Sequence, residues 1–559
     1  MNRRRMGKLT FGFVVVLSAI AGPAAPQDLP LGHRDFMPSA ARPVGWRGDG
    51  SGVFPGATPP VQWNGPKGEN VLWSVPCPHV TYASPIVVGN RVITLADPHT
   101  ILCHDADSGK LLWHNASDTV DLLCKDAGEA KRVRRLFGLY DFYFSSQGLK
   151  QKLTAAELEA RTEAMAQFKA AGVPPPPKDP PGNDTAAWDY NPFFARYGLW
   201  SPTRNGVCRT MATPVSDGKH VWVYWMSNAA ACYDLADGKL VWMKYLGELK
   251  SCPGGLFFPS PVLVDGVLVV KTGLQLRGLQ PATGEPVWEL PLRVWSYSCS
   301  TPAVMNLNGT KVVVNWAGPV VAAKDGRVLL PNFSGTRERG CSSAVGGKAS
   351  DILVLHDAKM AATVAVRLRG EAGQVTARTL WSLPIGPQSG EPPANALRRY
   401  DDDDGTSCCY GDYWYVNDGW SLVELETGKI THRELPSPSG GYPGINVAGG
   451  HVFNFDAAAS CGVLEPGPDG KVVAVNHLLA GFAHSGRAVG GKGGNRSLAS
   501  KACNAAFWKH VEDQAAKGVI GWVGRRRNLT LGEMTADPFF HGGRIYVRTY
   551  THLVCIGSK

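Results

Sequence analysis

An all-β fold, built as a closed ring of eight four-stranded blades, is predicted by three observations. First, a phrase recurs along the chain: an acidic or polar residue, a glycine four residues on, and a tryptophan four further. The clearest copies are Asp105-Gly109-Trp113, Asp234-Gly238-Trp242 and Gln280-Gly284-Trp288. Worn copies end at Leu330, Trp381 and His432 and near Ala474, and an eighth lies early, at Trp73. Second, the spacings from Trp242 through Ala474 are 46, 42, 51, 51 and 42 residues, the length of a four-stranded blade. Third, four of the copies have an upstream Ser-Pro or Thr-Pro, at Ser84-Pro85, Thr213-Pro214, Ser260-Pro261 and Thr301-Pro302.

These signals justify the elements in turn. After the Ser/Thr-Pro comes an apolar run, a turn and a second run, as in Val262-Leu263-Val264, Asp265-Gly266, then Val267 to Val270. β-Branched runs around Asp-Gly are a strong hairpin signal. The glycine of the phrase supplies the turn before the outer strand, and the tryptophan can then wedge between blades. Trp73-Ser-Val-Pro76 matches Trp381-Ser-Leu-Pro384, yet no complete blade precedes it. Asp537-Pro538 through Ile556 supplies a hairpin and a third strand before the chain stops. The N-terminal strand is therefore expected to complete the blade begun at the C-terminus, closing the ring without long free edges.

The repeat, with Trp73, Trp113, Trp242, Trp288 and Trp381 as docking residues, resembles that of the PQQ-like propellers, a WD40-like architecture. That family includes the quinoprotein alcohol dehydrogenases and a non-catalytic lipoprotein subunit of the outer-membrane barrel-assembly machine. The resemblance covers most of residues 60–480 and 536–559 and implies the fold; it does not choose between these functions.

Residues 1–21 read as a secretory signal peptide, with Arg3, Arg4, Arg5 and Lys8 ahead of the apolar stretch Leu9 to Ile20. The basic run loosely matches a twin-arginine signal. Residues 22–59 form an N-terminal extension and 60–559 the propeller. No cysteine occupies a lipobox position and no later stretch reaches 18 apolar residues, so a soluble, unanchored, monomeric periplasmic or extracellular protein is expected. The net charge of +10 falls to +6 without the four leader cations, and Arg525-Arg526-Arg527 reads as a solvated loop; no nucleic-acid partner is expected. Of the 13 cysteines, Cys103, Cys232 and Cys555 stand at equivalent blade positions and read as buried thiols on an inner-strand core position.

Two partly helical insertions interrupt the ring, at about 117–205 and 480–535. In the first, Thr154-Ala-Ala-Glu157 is a capping box opening a helix that runs to about Ala171 and stops at Gly172. The aromatic stretch that follows offers Trp188, Tyr190 and Trp200 as a platform for a glycan or protein; such aromatics more often fasten an insertion to its scaffold. The second carries a glycine-rich loop, Gly486 to Gly494, and a helix expected from Leu498 to Lys517.

Chemistry is sparse. The quinoprotein resemblance gives adjacent Cys408 and Cys409 one reading, a vicinal disulfide against PQQ with calcium beside it; the other is two cysteines on an inner strand and its turn. Asp401 to Asp404 with Gly405 lacks the register of an EF-hand loop, which leaves a different oxygen-ligand site or a solvated acidic loop. Gly486 to Lys492 mimics a phosphate loop but is followed by Gly493 where Ser or Thr is required. The leading expectation is a non-catalytic binding or scaffold module with no certain cofactor, its protein, small-molecule or glycan partner at the insertion-bearing face. A PQQ-dependent alcohol or sugar dehydrogenase with divergent ligands is the alternative, and a carbohydrate-binding propeller the third reading.

Overall fold

The computed structural model describes residues 29–78, 81–97, 99–147, 155–174, 191–199, 210–247, 259–272, 275–292, 300–314, 318–331, 344–348, 350–357, 362–371, 373–385, 396–397, 406–416, 421–432, 443–456, 459–478, 534, 536–549 and 551–558. The described strands form eight sheets. Blades 1 to 7 span residues 86–116, 215–245, 262–291, 303–330, 344–384, 408–432 and 443–477, each a meander from inner to outer strand. Blade 8 takes three strands from 539–557 and its outer strand, Val71–Pro76, from the N-terminal side. Trp73 lies opposite Cys555 in that pairing, so the ring closes as the sequence predicts.

The turn chemistry follows the residues. Asp265 and Gly266 have φ of 52° and 72°, and Asn308 and Gly309 have 51° and 84°, the left-handed pair of a type I′ hairpin. Alternate side chains of each blade enter the two neighbouring inter-blade layers, and the buried core is divided among these layers.

The repeated phrase has one geometric meaning. Each tryptophan lies on the glycine of the next blade's phrase and donates its indole N–H to the carbonyl following the phrase's first residue. Trp73 donates to Ala106 at 3.1 Å, Trp113 to Leu235 at 3.0 Å, Trp242 to Pro281 at 2.8 Å, Trp288 to Ala323 at 3.0 Å and Trp381 to Leu425 at 2.8 Å. The glycines beneath are Gly109, Gly238, Gly284, Gly326 and Gly428. At Gly238, where φ is +73°, an added Cβ would stand 2.3 Å from the Trp113 ring.

Cys103, Cys232 and Cys555 occupy one equivalent position, but on the third strand rather than the inner one, opposite Trp113, Trp242 and Trp73. Burial pushes all three thiols up to about 12, and they pack as small apolar groups.

Residues 117–214 join the outer strand of blade 1 to the inner strand of blade 2 and, among the described residues, hold four helices: α1 (Val120–Leu123), α2 (Ala127–Gln147), α3 (Ala155–Ala171) and α4 (Pro192–Ala195). They enclose a core of their own around Phe137, Tyr140, Phe168 and Phe194. Helix α3 ends where expected, at Gly172 with φ +67°. Helix α2 was not expected; Val133, Leu136, Phe137 and Tyr140 nonetheless follow the i, i+3, i+4, i+7 pattern that marks it. The other insertion also joins an outer to an inner strand, between blades 7 and 8. In a four-stranded meander such connections all leave from one face, so both insertions emerge on the same face of the ring. Residues 479–533 of the second, with its glycine-rich loop, expected helix and arginine run, lie outside the described residues.

Candidate functional site

The central channel is the candidate site, and its upper rim is built by the Ser/Thr-Pro signature. Ser84 N donates to Thr213 Oγ1 (3.0 Å), Thr213 N to Ser260 Oγ (2.9 Å) and Ser260 N to Thr301 Oγ1 (3.0 Å). A belt of hydroxyls thus stitches blades 1 to 4 together where each inner strand begins. The proline that follows fits there because the first residue of an edge strand can forgo its ladder donor.

On the opposite side of the rim the belt takes in a charge. Asp537, at the equivalent position of blade 8, accepts from Thr406 Oγ1 of blade 6 at 2.7 Å, across blade 7. Gly444 makes room, since a Cβ there would fall on the Thr406 hydroxyl. Arg47 enters this cluster from the N-terminal segment. Its guanidinium bonds to Thr406 Oγ1, to the Ile445 carbonyl (2.6 Å) and, as an ion pair, to Asp537 (3.1 Å). Both charged side chains are almost wholly buried, at 1% and 5% exposure. Burial pushes the Asp537 carboxyl above its ordinary range, against the pull of Arg47 and its hydrogen bonds.

The segment that carries Arg47 crosses the channel. Val44 exchanges two backbone hydrogen bonds with Ser216 of blade 2 (3.0 and 2.7 Å), and Val53–Phe54 pairs in parallel with Val447 and Ala448 of blade 7. Two inner strands are thereby extended by the chain itself. Between residues 41–51 and the inner strands of blades 2 to 5 lies a cavity of about 410 Å³. It runs from Thr301 at the start of the blade 4 inner strand to Asn306 near its end, walled by Val262, Val304, Val345 and Trp46.

Cys408 and Cys409 do not meet on the channel wall. Both sit on the inner strand Cys408–Tyr410 of blade 6, with neither in the turn, and as strand neighbours they point to opposite sides. Cys408 packs with Tyr415, Ile445 and Val447 toward blade 7, and Cys409 with Ile352, Val354 and Trp381 toward blade 5. Both are free thiols. Burial pushes Cys408 up to about 11 and raises Cys409 well above the ordinary thiol value. A quinone lying on a vicinal disulfide does not fit this arrangement.

The other predicted residues divide cleanly. The docking tryptophans sit in inter-blade layers, away from the channel. Trp188, Tyr190 and Trp200 lie outside the described residues, as do Asp401 to Asp404 and the mimic of a phosphate loop. Of their aromatic neighbours, Phe193, Phe194 and Tyr197 are buried within the helical insertion. That insertion is fastened to the ring by Tyr245 OH of blade 2 donating to the Ala195 carbonyl (3.2 Å), while within it Thr119 Oγ1 donates to the Tyr197 carbonyl (2.8 Å). Among the described residues no group of three His, Cys, Asp or Glu side chains is placed to hold a metal. The sequence marks residues 22–59 only as an extension and gives Arg47, set among glycines, no role in the channel.

The eight-fold ring, the docking indoles and the glycines beneath them define a PQQ-like β-propeller. Residues 198–387, which hold blades 2 to 5, match the PQQ-repeat family model described as "Outer membrane protein assembly factor BamB". Similar solved structures include BamB from Moraxella catarrhalis, at 10% identity and a TM-score of 0.41 over 87% of this chain and 96% of that one. The computationally designed protein Ika8 gives 10%, 0.41, 87% and 98%, and a europium-containing methanol dehydrogenase 10%, 0.32, 68% and 72%. No curated protein sequence matches the chain. Among the described residues no helix is long and apolar enough to cross a membrane.

Proposed function

We propose that the protein is an exported, non-catalytic binding module, a scaffold that holds a protein or small-molecule partner. The observation that carries this reading is the channel. The chain fills part of it with its own segment, anchors that segment through Arg47 and Asp537, and leaves a cavity lined by aliphatic side chains, strand edges and the charged residues Arg42, Asp49 and Lys311. Such surfaces hold a partner by burial and backbone hydrogen bonds. The face from which both insertions leave the ring is a second candidate platform, and the first insertion is a helical unit with its own core.

The test is affinity capture with chemical crosslinking, using the full chain and a variant in which residues 118–209 are replaced by a short Gly-Ser linker. The reading expects one saturable partner that crosslinks to the ring, with capture reduced at least tenfold in the variant if it docks on the insertion face. No saturable partner for either protein would overturn it.

A further inference from the structure

We infer that the channel cavity binds an extended peptide, which adds as a strand to the inner edges of blades 3 and 4; this deepens the binding-module reading and rests on it. In a radial blade the inner strand is an edge strand, and the backbone groups not used in its ladder point at the channel axis. The type I′ turns at Asp265-Gly266 and Asn308-Gly309 fix which groups these are. Val264 pairs with Val267 and Leu307 with Thr310 as the hydrogen-bonded closing pairs of their hairpins. By alternation, Leu263, Val304 and Asn306 turn their N–H and C=O groups away from the second strand and toward the cavity. No described residue pairs with those edges.

The same ring shows what such an edge takes. Beside the cavity, Val44 occupies the edge of blade 2, and on the other side of the ring residues 52–54 occupy that of blade 7, where Val447 N donates to the Gly52 carbonyl at 2.9 Å. The chain's own extended segment is therefore the ligand at two inner edges, and the cavity is the space where two more remain open. On the blade 4 inner strand it is lined from Ala303 to Asn306, room for about four extended residues at ~3.3 Å each. Aliphatic walls at Val262, Val304 and Val345 suit aliphatic side chains on the incoming strand. Strand addition draws its affinity from the main chain and its selectivity from alternate side chains, the two things this cavity offers.

The probe is a random dodecapeptide library displayed on phage and panned against the full chain, with enriched sequences resynthesised and titrated by fluorescence anisotropy. Enrichment of sequences with alternating aliphatic residues is expected. N-methylation of alternate backbone amides, which leaves every side chain in place, should weaken binding at least tenfold. Val304→Pro removes one edge donor outside the ladder and should weaken it similarly, with an unchanged melting temperature confirming the fold. Should that variant not fold, the N-methylated peptides decide alone. Failure to enrich any peptide, or equal binding of the N-methylated forms, overturns the inference. A captured partner indifferent to Val304→Pro would sink this inference while leaving the binding-module reading standing.

Discussion

At the scale of single residues, the molecule is organised by one contact made five times: an indole laid over a glycine of the next blade. The glycine serves twice, since it takes a positive φ in the turn and leaves the space the ring fills. Gly238→Ala should therefore cost about 2–4 kcal/mol, combining left-handed strain with overpacking against Trp113. Urea unfolding checks this, and a loss below about 1 kcal/mol would mean the docking geometry is wrong. This layer was legible in the sequence because one geometric need recurs at a fixed spacing. Where tryptophan is lost the signal fades, and other contacts take over. At Leu330 in blade 4 the link to blade 5 is made by Asn308 Nδ2 donating to the Gly370 carbonyl (2.6 Å) and Arg327 Nη1 to that of Gly373 (3.1 Å). The quinone reading of Cys408 and Cys409 came from adjacency in sequence, which in a strand means opposite faces.

At the scale of elements, the N-terminal segment is the part that sequence could not show. Its strand is two residues long and follows no period, so no pattern distinguishes it from a linker. Its anchor is a buried ion pair, and removing one partner strands the other charge. Arg47→Met should cost about 3–5 kcal/mol and expose residues 29–62 to limited proteolysis. Replacing Asp537 by Leu in the same chain should recover part of that loss. His541, beside this segment on blade 8, adds a pH signature. Burial lowers its imidazole to about 4, with Arg544 and His33 acting in the same direction and Asp35 and the backbone of Arg34 opposing. The unfolded chain thus binds the proton more tightly than the fold between pH 4 and the ordinary value of 6.5. The stabilisation is complete above about pH 6.5 and declines as pH falls toward 4, by on the order of 3 kcal/mol. Denaturant titrations across that range should show the slope in the native chain and a flatter one in His541→Phe.

At the scale of the whole molecule, closure and asymmetry matter most. Eight blades and the N-to-C seam were readable because sheet-forming runs and turn residues repeat, and a repeat cannot bury its faces alone. What fills the channel was not readable, because it depends on residues more than 350 positions apart, such as Arg47 and Thr406. Deleting residues up to Pro76 removes the outer strand of blade 8, and hydrogen exchange should then show early opening of 539–557. Unchanged protection there would contradict the seam.

The reading as a binding module stands or falls on whether the channel holds a redox cofactor. The direct measurement is titration of the purified protein with PQQ and calcium, followed by absorbance and by dye-linked dehydrogenase turnover. A binding module should show no stoichiometric quinone uptake and no turnover with alcohols or sugars. Stoichiometric binding with turnover would contradict it.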